Sequence, residues 1–328
     1  MDKLRLPTYG GQAVIEGVMM RGKQSMAIAM RAPDKSIVIH KDELSSVYRS
    51  KIVQIPFLRG IILLWDALGL GVRALTISAN TQTDEDEKIE GPALIITLVI
   101  SLSFAVGLFF LLPATIGHIA EQVLNPPVVI GIPLTDQTLT FLSAYESTIP
   151  FLSGASQSSA AAWIGNLVEG FVRLAILIGY IWLIGRIPDI KRVFAYHGAE
   201  HKTINAFEAG SELTPACVKT FSLEHPRCGT AFLLTLVLLS ILFFSLLGPL
   251  PLGLRLASRI IMIPVLAGIA YEYIRWTANH INSRWVKLLV RPNLALQHLT
   301  TREPDLEMLE VSIAAFNAMR TDEEDIHL

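Results

Sequence analysis

Four long apolar runs punctuate the chain, and polar residues return in blocks between them. A bilayer span needs roughly 20 largely apolar residues. The run from Gly91 to Gly117 carries no charge, and neither does Thr230 to Gly248. Trp163 to Ile187 carries Glu169 and Arg173, and Leu256 to Trp276 carries Arg259, Pro264, Glu272 and Arg275 at its edges or inside. The charge-free stretches of the second and fourth runs are short, so a helical hairpin buried in a soluble core competes with a span there. Glu169 and Arg173 lie four residues apart and read as an ion pair that neutralises the second run.

Lys and Arg orient the runs, because cytoplasmic loops carry the excess. The stretch from His118 to Gly170 holds neither and is expected outside. Basic residues follow the second run (Arg186, Lys191, Arg192, Lys202) and the fourth (Arg284, Lys287, Arg291, Arg302), and they open the chain (Lys3, Arg5, Arg21, Lys23, Arg31). Four transmembrane helices with both termini cytoplasmic satisfy this pattern.

Outside the runs the period changes. "SMAIAMRA" and "IVIHKDEL" alternate around "PDKS", which predicts a β-hairpin from Ser25 to Leu44. Before it, Gly10, Gly11, Gly17 and Gly22 allow sharp bends or close approach. "PFLRGIILLWDALGLGVRALTISAN" has helical apolar spacing, broken by Arg59, Asp66 and Arg73. It is expected as an amphipathic helix on the membrane surface, or alternatively as a helix packed under the cytoplasmic domain. "TDEDEKIE" is a solvated linker. Near the C-terminus, Pro304 and the acids Glu303, Asp305 and Glu307 suit a helix start. Leu306, Leu309, Ile313 and Phe316 then recur on one face, which predicts a helix facing a core.

The fold class that follows is an α-helical integral membrane protein. Residues 1–55 form a small N-terminal cytoplasmic β unit, and 56–90 an amphipathic surface helix and acidic linker. Residues 91–280 form the transmembrane domain, with an external loop at 118–162 and a cytoplasmic loop at 188–229. Residues 281–328 form a C-terminal cytoplasmic segment with its helix.

Composition agrees. Of 328 residues, 52% are hydrophobic and only 17% charged, against about 25% charged in ordinary soluble domains. The mean hydropathy is +0.48. A net charge of −2 gives no reason to expect a nucleic-acid partner. Cys217 and Cys228 are too few for a disulfide framework. "MDKLRLPTYGGQ" lacks the apolar core of a signal peptide.

The candidate chemistry lies in "YHGAEHKTI". His197 and His201 are four apart, so on a helix they stack roughly 6 Å from one another and can take adjacent corners of a tetrahedral metal. Glu200 points off that axis and would serve as a general base beside the ion rather than as a ligand. The order H-x-x-E-H is that of the inverted zinc-peptidase motif. The competing reading is a polar interfacial turn, with Glu200 paired to Lys202 or Arg192 and both histidines exposed. "EHPRCGT" adds His225 and Cys228 as further ligands. Glu272 is another, because a carboxylate at membrane depth is expensive and often functional, although an ion pair with Arg275 explains it equally. No phosphate-binding loop, dinucleotide glycine pattern or nucleophile elbow appears.

Six motifs in order, "GGQAVIEGVMMRG", "PFLRG", "YHGAEHKTI", "HPRCGTAF", "YEYIRW" and "LTTREPD", resemble the YqhQ-like family of bacterial membrane proteins. The resemblance covers nearly the whole chain apart from His118 to Ala162. It implies a multi-pass protein of the bacterial cell membrane and a metal-dependent enzyme. Its motifs fall on Glu16 and Arg21, on His197, Glu200 and His201, on His225 and Cys228, and on Glu272 and Arg275.

Two functions follow from these residues. One is a hydrolase with a divalent metal, zinc by its ligand types, at the cytoplasmic membrane surface. His197 and His201 are ligands there, completed by His225, Cys228 or Glu272, with Glu200 as base and Arg227 or Arg275 holding an anionic group. The other is a non-catalytic scaffold in the lipid bilayer, whose His/Cys cluster staples loops and whose β unit, with the C-terminal helix, docks a cytoplasmic protein partner. An open coordination position favours the first and a closed four-ligand site the second. Transport is weaker, with few intramembrane charges available.

Overall fold

The computed structural model describes residues 9–44, 55–83, 91–124, 159–248 and 250–326. They divide into two compact units. One comprises Met1–Leu94, Tyr180–Thr235 and Ala267–Leu328, and the other Ile95–Gly179 and Leu236–Leu266.

The first unit is built on a four-stranded antiparallel meander, in the order β1 (Gly10–Val14), β2 (Gly17–Arg21), β3 (Ser25–Arg31) and β4 (Ile37–Glu43). The expected hairpin is β3–β4, with Ser25 opposite Glu43 and Arg31 opposite Ile37. The glycine-rich stretch before it forms a second hairpin, β1–β2, which the alternation had not announced. β1 is glycine-rich and mostly half-buried, and β2, like β3, is buried on both faces. Val18, Met20, Ala27 and Ala29 pack into one core, and Val14, Met19, Met26, Ile28 and Met30 into another. A strand covered on both sides reads as a continuous apolar run, not as an alternation. Gly17 is required where β2 passes β3, because a Cβ there would strike the Ala29 carbonyl.

Helix α1 (Leu58–Thr81) covers the second of these faces. Ala74, Leu70 and Ile77 pack on it, Arg73 pairs with Asp42 at 2.9 Å, and the Ser78 hydroxyl accepts from the Ile15 amide at 3.2 Å. The C-terminal half of this helix is therefore packed under the β unit, the second of the two expected placements. Its N-terminal half leaves Trp65 and Leu68 exposed.

The remaining elements are α2 (Gly91–Leu124), α3 (Ser159–Ile184), α4 (Pro188–Glu208), a short α5 (Pro215–Val218), α6 (Gly229–Ser245), α7 (Leu252–Asn279), α8 (Arg284–Thr300) and α9 (Leu306–Ile326). Helix α9 covers the first sheet face together with α4. Leu309, Ile313 and Phe316 are buried as expected, while Leu306 is exposed. Asp305 caps α9 by accepting from the Met308 amide at 2.8 Å.

Among the described residues, three helices are long and apolar enough to cross a bilayer: α2 at 34 residues, α3, and α7 at 28. The third expected span is shorter. Helix α6 has 17 residues, roughly 25 Å at 1.5 Å per residue, against a hydrocarbon core of about 30 Å. Gly248 and Pro251 follow it and end the apolar run early. The expected external loop is also narrower, since α2 runs to Leu124 and α3 starts at Ser159; residues 125–158 lie outside the described set, as do 1–8 and 45–54 of the β unit and 84–90 of the acidic linker.

The second unit buries a charged network. Glu169 accepts from Arg173 at 2.7 Å, the expected pair, and also from Arg259 at 2.7 Å. Arg173 donates to Ser240 Oγ at 2.8 Å and to the Phe109 carbonyl at 3.0 Å. Phe109 sits in a π turn, Gly107–Leu111, within α2. Arg259 also reaches Asn166 at 2.9 Å, and Arg255 pairs with Glu121. Charges at apolar depth are tolerated when they meet each other in this way.

Candidate metal centre

Pro188 opens α4 at a position where a missing N–H costs nothing, and Asp189 lies in its first turn, where the helix dipole favours an acid. Further along, Tyr196 and the run Gly198 to Ile204 are buried. The motif therefore faces a core and not solvent. His201 is fully buried, which sets aside the reading of two exposed histidines on an interfacial turn.

Three donor atoms converge. One atom each from His197, His201 and Cys228 lie within 4.8 Å of one another. His197 Nε2 is 3.2 Å from Cys228 Sγ, and the two imidazole centroids are 4.4 Å apart. Metal bonds of 2.0–2.3 Å put neighbouring tetrahedral corners roughly 3.3–3.6 Å apart, so the three need only small adjustments to share an ion.

Their orientation is fixed from behind. His197 Nδ1 donates to the Thr300 carbonyl at 2.9 Å, and His201 Nδ1 to the Leu223 carbonyl at 2.5 Å. A proton held on Nδ1 leaves the lone pair on Nε2, the arrangement typical of metal-bound histidine. His201 Nε2 is buried and has no hydrogen-bond partner among the described residues. A buried polar atom without a partner is costly, and a cation would satisfy this one. The residues thus fit a soft divalent ion. Cys228 Sγ is supported by the Thr230 hydroxyl at 3.1 Å and the Thr230 amide at 3.4 Å.

The loop carrying Leu223 to Cys228 is held by α4 and α8. Lys202 donates to the Lys219 and Phe221 carbonyls, both at 2.7 Å, and pairs with Glu303 at 2.9 Å. Asn205 donates to the Ser222 and Glu224 carbonyls. Gln297 and the His225 backbone exchange two bonds, at 3.0 and 2.9 Å. Gly198 admits the segment that follows α8, since a Cβ there would strike the Arg302 carbonyl.

The other expected site residues stand as follows. His225 lies beside the cluster, its ring 5.6 Å from that of His201, and its Nε2 is buried without a partner. Burial, with Arg227 nearby, pushes its pKa down to about 3, so it is neutral at pH 7. Its ligand atom is not among the three that converge. Glu200 is buried against β1, where it accepts from the Gly11 amide, and burial pushes its pKa up to about 7. It lies outside the converging group and pairs with neither Lys202 nor Arg192.

Glu272 does not join the site. It is bound by both Arg59 side-chain branches and by the Phe57 amide at 3.2 Å. The expected partner Arg275 is replaced by a residue of α1, and so is the metal. Arg227, the suggested anion holder, is paired with Glu208. Glu16 receives Arg192 in a bidentate pair, with the Tyr196 hydroxyl at 3.3 Å. The guanidinium holds the Glu16 carboxyl below its usual range, while burial pushes the Tyr196 phenol up. Thr300, Lys202 and Gln297 were missed by sequence reasoning. Thr300 lies in the "LTTREPD" motif and Lys202 in "YHGAEHKTI", while Gln297 lies in neither.

The DUF1385 family, described as "Protein of unknown function", matches residues 55–322. The chain is 34% identical to the "Uncharacterized protein YqhQ" of Bacillus subtilis (strain 168), over 95% of this chain and 92% of that one. No solved structure matches. With the family match over residues 55–322 and 34% identity across nearly the whole of both chains, the chain belongs to the DUF1385, YqhQ-like family.

Proposed function

We propose that this is a membrane protein with a zinc centre of His197, His201 and Cys228, acting as a hydrolase at the cytoplasmic face of the bacterial cell membrane. One observation carries the reading: three ligand atoms converge, and both imidazoles hold their Nδ1 protons outward on backbone carbonyls, so an ion held by these three alone would keep a fourth corner for water or substrate. Three protein ligands and an open position are the catalytic pattern for zinc. A bound divalent ion there supplies Lewis acidity. The chain's own groups do the rest. Thr300 and Leu223 fix the imidazoles, Thr230 holds the sulfur, and Glu200, on the same helical turn but bonded to the Gly11 amide in this structure, is the carboxylate we assign to the proton.

The topology proposed is four spans, with α6 as the short one and both termini inside. The Lys/Arg asymmetry supports it, since an even number of crossings puts all three basic segments on one side.

The unpartnered Nε2 of His225 favours a second reading. If His225 swings in, four protein ligands close the site and the metal staples the HPRC loop to α4 as a scaffold. Elemental analysis of the purified chain tests the ligands: His197→Ala and His201→Ala should each abolish stoichiometric zinc, and Glu200→Gln should retain it. Unchanged metal in both histidine variants would sink the proposal. Cobalt substitution separates the two readings. A thiolate charge-transfer band that persists in His225→Ala, with a d–d spectrum that responds to added anions, marks three ligands and an open position. A spectrum that ignores anions and collapses in His225→Ala marks the closed scaffold.

A further inference from the structure

Helix α8 has two unlike faces. Val286, Val290, Asn293, Leu296, Gln297 and Thr300 are buried. The other face exposes Trp285 at 78%, with Leu288 and Leu289 about half exposed. Arg284, Lys287 and Arg291 stand exposed among them. Arg284, Trp285, Leu288 and Arg291 line an open groove of about 480 Å³. From Tyr273 to Arg302 the sequence contains no Asp or Glu, so nothing within the stretch neutralises these cations.

The chain fixes the depth of this face. Helix α7 is long and apolar enough to cross a bilayer, and only residues 280–283 separate its end at Asn279 from Arg284. Four residues reach at most roughly 14 Å. The Tyr273 hydroxyl donates to the Leu289 carbonyl at 3.3 Å, so α8 folds back to the level of the last turns of α7. That is the level of the headgroups. Tryptophan belongs there because its ring is amphipathic, and Arg belongs there because it binds phosphate oxygens in pairs.

We infer that the exposed face of α8 docks on anionic phospholipid, with Arg284 and Arg291 gripping a headgroup phosphodiester and Trp285 and Leu288 lying against the glycerol and upper acyl chain. The inference rests on the reading of α7 as a span. A helix with a basic and apolar outer face lies in the interface plane and is drawn to negative lipid. Each basic residue near such a surface contributes about five-fold in binding, so the two arginines together should contribute roughly 25-fold.

The full-length chain in detergent, titrated with phosphatidylglycerol or phosphatidylcholine and read by native mass spectrometry, tests this. Phosphatidylglycerol should bind more tightly, and Arg284→Gln/Arg291→Gln should lose roughly 25-fold of that preference. Lys35→Gln, at an exposed turn of the sheet, should lose none. In vesicles with brominated phosphatidylglycerol, Trp285→Phe should remove a large share of the quenched fluorescence. Equal binding of the two lipids, or equal competition by inorganic phosphate, overturns the docking. Release of the wild-type chain from membranes by alkaline wash would instead overturn the span reading of α7.

Discussion

Around Glu169 in the second unit, donors and acceptors alternate: two guanidiniums meet one carboxylate, and Ser240, Ser258, Asn166 and the Phe109 carbonyl take the remaining N–H groups. Around His201 in the first unit they do not alternate. His197, His201 and Cys228 present lone pairs to one another, and the thiol proton can serve only one of them. The network is complete as protein at Glu169, while its edge is less so: Arg255 Nε and Nη1 and Glu121 Oε1 have no hydrogen-bond partner. The cluster is complete only with an electron-pair acceptor. Both are buried, and burial alone would not tell them apart. The sign of the unsatisfied atoms does.

The largest effect should come from breaking the complete side. Glu169→Ala leaves Arg173 and Arg259 buried without their shared counter-charge. Removing one partner of a buried pair costs about 3–5 kcal/mol, read as a fall in unfolding free energy in detergent. A loss below about 1 kcal/mol would erase the contrast, because it would mean that the charges are not held by one another.

A middle-sized effect should appear beside the incomplete cluster, in metal-free protein. Glu200 is raised from the ordinary 4.5 to about 7 by burial. The fold therefore favours its protonated form, by roughly 3 kcal/mol. That contribution is full below pH 4.5 and is lost as pH rises through 7. The wild type should lose stability over this window relative to Glu200→Gln, and the difference between their denaturation curves measures it. Parallel curves would show that Glu200 ionises freely.

The smallest effect should be Thr230→Val. It deletes the hydroxyl 3.1 Å from Cys228 Sγ and keeps the shape. One hydrogen bond is worth about 1 kcal/mol, so zinc affinity in a chelator competition should fall about five-fold. A loss as large as that of His201→Ala would make Thr230 a ligand in its own right.

What could be read from the sequence was local. The spacing of His197 and His201 and the i,i+4 pair of Glu169 and Arg173 follow from helix geometry, and both appear. The β3–β4 hairpin was legible because a turn sits between two short strands. Pairings across long separations were not legible. Arg59 reaches Glu272 over 213 residues, and no local rule prefers it to Arg275. Arg259 joins Glu169 from 90 residues away. The β1–β2 hairpin was hidden for a different reason: β1 is short, glycine-rich and mostly half-buried, and β2 is apolar without a break, so neither strand shows the alternation that marks one.

The sheet of residues 10–43 has its two covers at very different points of the chain. Helix α1 follows within a few tens of residues, but α9 begins at Leu306. During synthesis the strands are made before α4 and α9, which share the cover of one face, and α9 comes after every apolar helix described. At about 5–20 residues per second that interval is roughly 15–60 s. For that time Val18, Met20, Ala27 and Ala29, all fully buried in the end, have no partner from α9. The nascent chain therefore carries an incompletely covered hydrophobic sheet while its long apolar helices are being made, and a ribosome stalled before codon 306 would leave a product that cannot close.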